Sequence, residues 1–331
     1  MLPSPTHLAA LSALCAALSI VAPRAADACQ QCASASSVSE TLSDQQQTTT
    51  DDRYSLGVSL TASRRAEDYG VGSQALRFRE WRLDLVTSIA TERWSVFTRA
   101  SWLSRQLELE SNGLELAAVN KLGDFELGGG IELLPSDLLT RAYLTLQLGM
   151  SFPTGQLERN SRGEALPDEV QPGTGSFTPF VGLRGGFKPS PVGVRGGFVA
   201  YLPIEGRYDF QVGNSYQLDA VAQYEPTAWL RLHAGPAYLF NEPVFINGTR
   251  EEDTGGGILF GAIGATFNLP EGVSLFATVR VPLYKHLFGT HDSSVLVDFG
   301  ARWNFSFGSG ESTAPDAETV TIPEGLLDRS L

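Results

Sequence analysis

From Tyr54 onward the chain repeats one pattern: apolar and polar residues alternate at every step over runs of about ten residues. In Trp81–Ile89 one face carries Trp81, Leu83, Leu85, Thr87 and Ile89, and the other carries Arg82, Asp84, Val86 and Ser88. The next run sets Val96, Thr98, Ala100 and Trp102 against Phe97, Arg99, Ser101 and Arg105. Further on, Phe125, Leu127, Gly129, Ile131 and Leu133 oppose Asp124, Glu126 and Glu132. Near the end, Val295, Val297, Phe299, Ala301, Trp303, Phe305 and Phe307 oppose Asp298, Arg302 and Asn304. A period of two belongs to strands whose two faces meet unlike surroundings.

Twelve such segments are read at 54–62, 81–90, 93–104, 123–133, 141–153, 176–188, 192–203, 215–225, 229–240, 256–269, 273–284 and 294–307. The connections sort into two kinds. Those at 63–80, 105–122, 154–175, 204–214, 241–255 and 285–293 are long, and those at 91–92, 134–140, 189–191, 226–228 and 270–272 are short. Long and short alternate along the chain. Turn-forming residues fill the short ones, as in Lys188-Pro189-Ser190-Pro191, Glu225-Pro226 and Pro270-Glu271-Gly272. An even strand number with this sorting predicts a closed antiparallel transmembrane β-barrel, its short turns and both termini on the periplasmic side.

A soluble β-sandwich also alternates, but its strands typically run about five or six residues, and nothing would sort its loops by length. Closure pairs every edge group, so a barrel backbone survives in lipid. After the first residues no uninterrupted apolar run of about 18 residues occurs, which excludes a spanning helix. The net charge of −13 and the lack of any basic stripe argue against nucleic acid as a partner. Residues 1–28 read as a secretory leader. An apolar run from Leu8 to Ala22 precedes Ala26-Asp27-Ala28, although no basic n-region opens it. Cys29 would then begin the mature chain, with lipidation of that cysteine as the less favoured alternative. Residues 29–53 form a Ser-, Thr- and Gln-rich periplasmic lead-in, and 308–331 a polar periplasmic tail.

With the apolar face toward lipid, the inner face carries Arg82, Asp84, Arg99, Arg105, Glu126, Glu132, Arg141, Arg195, Asp219, Glu225, Arg231, Arg280, Asp298 and Arg302. Tyr143, Tyr201 and Phe276 add aromatic surface. Charges of both signs suit a hydrated or ion-paired lumen. They fit a wall-bracing network as readily as solute contact. Glycines cluster at Gly128-Gly129-Gly130, Gly185-Gly186, Gly196-Gly197 and Gly255-Gly256-Gly257. None opens a strand-to-helix nucleotide loop, so they mark curvature or the close approach of another segment, such as an inward loop or the lead-in.

Several strand ends carry recognisable motifs: Leu148-Gly149-Met150-Ser151-Phe152-Pro153-Thr154-Gly155, Pro172-Gly173-Thr174-Gly175-Ser176 and Asn214-Ser215-Tyr216-Gln217-Leu218. Thr254-Gly255-Gly256 and Val281-Pro282-Leu283-Tyr284-Lys285-His286-Leu287-Phe288-Gly289-Thr290 follow in order. Over about residues 54–307 the chain resembles the outer-membrane barrels related to the MetA-pathway phenol-degradation transporters. That resemblance implies a channel for passive uptake of small, partly apolar or aromatic solutes, and it marks no catalytic residue. One departure is the tail that follows Phe307, where outer-membrane strands often end the chain on an aromatic residue.

Cys29-Gln30-Gln31-Cys32 has redox or metal spacing. Ala33 stands where covalent haem attachment needs His, and two thiols cannot complete a structural zinc site. A local disulfide between Cys29 and Cys32 is expected in an oxidising compartment, with a metal relay as the alternative. His233 is expected in the lumen, and His286 and His291 on the last long loop. No motif joins a Ser, a His and an orienting group, so no enzyme activity, cofactor or metal is expected. The expected partners are outer-membrane lipid, the barrel assembly machinery and small solutes. The rival class is a plugged barrel with a structural or adhesive role.

Overall fold

The computed structural model describes residues 54–307 except 70–74, 92, 135–140, 164–165, 167–169, 205, 207–209, 247–248, 251–253, 289–290 and 293. The expected leader, the lead-in with Cys29 and Cys32, and the tail 308–331 lie outside the described residues.

The wall begins with β1 (Tyr54–Tyr69), β2 (Leu76–Ala90) and β3 (Trp94–Leu109), followed by β4 (Glu115–Leu122) and β5 (Phe125–Leu134). It continues through β6 (Ala142–Phe152), β7 (Thr178–Phe187) and β8 (Val192–Tyr201). After the two-residue β9 (Phe210–Gln211) come β10 (Ser215–Thr227) and β11 (Leu230–Asn241). Two further short strands, β12 (Phe245–Ile246) and β13 (Thr249–Arg250), precede β14 (Gly256–Asn268). Last are β15 (Val273–Leu287), β16 (His291–Asp292) and β17 (Leu296–Phe307).

Each long strand pairs antiparallel with its predecessor and successor, and β17 pairs back onto β1 from Tyr54↔Phe307 to Arg64↔Val297. The result is a closed barrel of twelve wall strands, the expected number, with β4 pairing β3 above β5 as an added segment. β16 continues the closing seam beyond β17 by pairing Asp68 and Tyr69. Strands β9, β12 and β13 form a small separate sheet that joins two of the long loops.

Burial follows the sequence period. On β2, Glu80, Arg82, Asp84, Val86 and Ser88 are buried, while Trp81, Leu83, Leu85 and Ile89 are exposed. A soluble protein would show the reverse. The exposed apolar band on β3 runs from Trp94 to Trp102. Eight steps of ~3.4 Å tilted by ~40° rise roughly 21 Å, close to the apolar band of an outer membrane. Aromatic residues mark both edges. Tyr54 packs against Trp94 and Trp229 stacks on Phe267 at the short-turn end. At the other end Phe152 packs against Phe125 and Phe177, and Tyr216 lies between Phe198 and Phe240.

Two expected loops are corrected. Most of 63–80 and of 105–122 is strand, because β1, β2 and β3 climb past the apolar band and β4 pairs back onto β3. Outward residues there are charged: Arg77 pairs with Asp68 at 2.8 Å and with Glu110 at 2.5 Å, and Arg79 with Glu108 at 3.2 Å. The apolar alternation stops where lipid stops, but backbone pairing does not need lipid and continues.

Candidate functional site

The inner wall is built from pairs that the strand register sets opposite each other. Arg99 on β3 faces Glu126 on β5, and Arg99 Nη2 donates to Glu126 Oε2 at 2.5 Å. Ser101 donates to Asp84 at 2.5 Å, and Arg82 Nε lies 3.3 Å from the same carboxylate. Arg105 Nε donates to its cross-strand partner Glu80 at 2.6 Å, and Arg280 donates to Asp298. These side chains are almost wholly buried. Removing such charges from water costs several kcal/mol each, and only close pairing offsets it. Register sets Arg99 against Glu126, Ser101 against Asp84 and Arg105 against Glu80, whereas Arg280 reaches Asp298 on the diagonal.

The other expected lining residues take varied positions. Arg184, absent from the expected set, donates to Asp219 at 2.9 Å, and Arg231 donates to Glu225 at 2.7 Å. Thr145 donates to Glu132 at 3.1 Å, Arg195 is buried, and Arg302 lies over the Phe276 ring at 5.5 Å. His233 sits 3.1 Å from Thr278 on the inner side, and His286 is exposed against Phe288. Tyr143 and Tyr201 are buried there too. Arg141 differs from the expectation. It precedes β6, is exposed, and has φ 48°, because the chain is still turning at that point.

Beside the charged strip lies an apolar one. Phe97, Phe180 and Tyr201 form an aromatic line, with ring centroids 6.1 Å and 5.3 Å apart, flanked by Val86 and Val199. Phe97 and Phe180 sit on strands separated by β5 and β6, yet they touch. Register places Gly128 and Gly149 between them, and a Cβ at either glycine would collide with a ring. The segment approaching these glycines is therefore a side chain from within the wall. Phe180 was legible as an inner residue, since it shares the face of Arg184 on one strand; its meeting with Phe97 was not.

The long connection between β6 and β7 folds inward. Val170 is fully buried among Phe78, Leu107, Ala117 and Val119, and Arg105 donates to the Gln171 carbonyl. Asp124 holds both ends of this connection. Its Oδ1 accepts from Gly155 N at 3.0 Å, and its Oδ2 accepts from Thr174 N at 2.7 Å and Thr174 Oγ1 at 2.8 Å. A Cβ on Gly155 would come within 2.6 Å of Gly173 Cα, so two glycines let the ends meet. Two of the strand-end motifs thus converge on one carboxylate. Asp124 was read only as part of an inner face.

Wall, lumen and exposed apolar band leave one architecture. The fold is that of an outer-membrane β-barrel. The COG4313 outer membrane channel from Pseudomonas putida F1 superposes with a TM-score of 0.62 at 12% identity, covering 78% of this chain and 97% of that one. The translocator domain of the autotransporter NalP from Neisseria meningitidis follows at 0.47 and 10% identity, covering 82% and 94%. A monoaromatic hydrocarbon channel, a TodX mutant, gives 0.43 at 10% identity, covering 77% and 90%. No family model and no curated protein matches the sequence. At these identities the likeness concerns the fold of the barrel alone.

Proposed function

We propose that this barrel is an outer-membrane channel for passive passage of small, partly apolar solutes, with the short turns and both termini in the periplasm. One observation carries the reading: the inner wall pairs a charged strip with a continuous aromatic and aliphatic strip, Phe97–Phe180–Tyr201 with Val86 and Val199. The cluster is packed and buried, and in a channel it forms apolar wall behind the passage, beside the paired charges. The COG4313 channel shares the wall architecture, which supports the reading at the level of fold.

Planar-bilayer conductance and liposome swelling with the full chain test it. Steady conductance, and swelling in small neutral solutes, are expected. Silence in both, also after removal of residues 29–52, would favour a plugged structural or adhesive barrel. In the conducting barrel, Arg99→Gln is expected to shift the reversal potential toward cations, more at low salt than at 1 M, where the Debye length is about 3 Å. An unchanged potential at low salt would remove Arg99 from the pore lining.

A further inference from the structure

At the long-connection end, the first two outward rows above the apolar band on β1 to β3 hold charge of one sign. Register sets Arg64 beside Trp81 and Ser104 in the first row, and Arg79 between Ala66 and Gln106 in the second. Acids enter in the third row, where Asp68 and Glu108 flank Arg77. Over β6 to β11 the same rim is aromatic, with Phe152 against Phe177 and Tyr216 between Phe198 and Phe240. The charge bound to Tyr216 there is an acid, Glu242.

Both arginines face outward with donors to spare. Arg64 is exposed, its guanidinium carbon 5.4 Å from the centre of the Trp81 ring, and no acid among the described residues pairs with it. Arg79 gives one bond, at 3.2 Å, to Glu108 and keeps a side chain that is 46% exposed. Diagonal neighbours across an antiparallel pair stand about 7–8 Å apart, so two arginine side chains rooted there can reach one tetrahedral group. The space before them is the membrane–water boundary, and the exposed Trp81 marks its depth.

We propose that Arg64 and Arg79 hold the headgroup of a membrane lipid that ends in a phosphomonoester, its acyl chains lying on the apolar band below. Such a headgroup carries a charge of about −1.5 to −2 at pH 7. Guanidinium groups bind phosphate oxygens through paired N–H donors, and basic residues at a membrane surface attract anionic headgroups. Asp68 and Glu110 keep Arg77 occupied one row farther out, so the anion is held at the depth of the headgroups. Ser104 and Gln106 add neutral hydrogen-bonding groups on the same two rows. The site uses only the barrel's outer face and stands whether or not the barrel conducts.

The test titrates the full chain in detergent with short-chain phosphatidic acid, phosphatidylglycerol and phosphatidylcholine, and with inorganic phosphate. Heat unfolding is followed by the folded band on unheated gels. Phosphatidic acid is expected to raise the melting temperature saturably and to bind about tenfold more tightly than phosphatidylglycerol, whose diester carries a single charge. Phosphatidylcholine, without net charge, and inorganic phosphate, without chains, should bind more weakly still. Added salt should shrink the preference. Arg64→Gln/Arg79→Gln should lose it, whereas Lys285→Gln, at an exposed cation on β15, should keep it. Glu108→Gln removes the acid that competes for Arg79 and should tighten phosphatidic acid about threefold, a gain that misfolding cannot imitate.

Equal binding of phosphatidic acid and phosphatidylglycerol, or an undiminished preference in the folded double variant, would overturn the site. So would inorganic phosphate binding as tightly as phosphatidic acid, or a preference lost equally in Lys285→Gln. If the double variant does not assemble, Glu108→Gln decides alone, and an unchanged affinity there overturns the site.

Discussion

Arg184 on β7 reaches over the full width of β8 to donate to Asp219 on β10, at 2.9 Å. The residue beneath it is Gly197, the register partner of both, where a Cβ would lie 2.8 Å from Arg184 Cγ. His233 crosses Gly264 toward Thr278 in the same way, and the Phe97–Phe180 contact crosses Gly128 and Gly149. Glycine in these strands is a saddle for a neighbour's long side chain, and it lets residues two or three strands apart meet.

Gly197→Val should therefore push Arg184 off its path and separate it from Asp219. A buried guanidinium left without its partner costs up to several kcal/mol; since Asp219 is partly open to the lumen, a loss of about 2 kcal/mol is expected. Urea unfolding from detergent or bilayers measures it, with the folded band on unheated gels as a check on assembly. Wild-type stability in this variant would show that the saddle is not needed.

Asp124→Ala removes three hydrogen bonds that fasten Gly155 and Thr174. Bonds to a charged acceptor are each worth about 1.5–3 kcal/mol, so their joint loss is enough to free the inward connection. Conductance should rise, and liposomes should swell in larger sugars than the wild type admits. An unchanged size limit would mean that the Val170 anchor among Phe78, Leu107 and Val119 suffices alone.

The apolar band makes a prediction about depth. Leu85 faces outward between Trp81 and Ile89, whereas Gln106 faces outward beyond Trp102. Leu85→Arg should cost about 2–4 kcal/mol in a bilayer and Gln106→Arg no more than about 1 kcal/mol. Equal costs would move the membrane boundary from where Trp102 places it.

Orientation has its own check. Tags inserted near 165 and 248 should be reached by antibody on intact cells, and a tag near 318 only after the outer membrane is opened. The opposite pattern would invert the barrel.

Periodicity alone determined that this chain makes strands with one lipid-facing side. Loop sorting gave their number and the closure, because a one-residue alternation and a turn signal are local properties. Where the strands end was less legible. Above the band the outer face of β2 and β3 turns charged and the inner face mixes Phe78, Leu107, Ala117 and Val119 with charges, so the lipid-marking alternation is lost while the hydrogen-bonded backbone continues. The face of each inner charge was readable from parity, as with Arg99, Glu126 and Asp298. Its partner was not, because pairing depends on stagger between strands and on which intervening residue lacks a side chain. Asp124 shows the limit best. It is one carboxylate between two strands in the sequence, and only the barrel's curvature brings Gly155 and Thr174, 31 and 50 residues away, to its two oxygens.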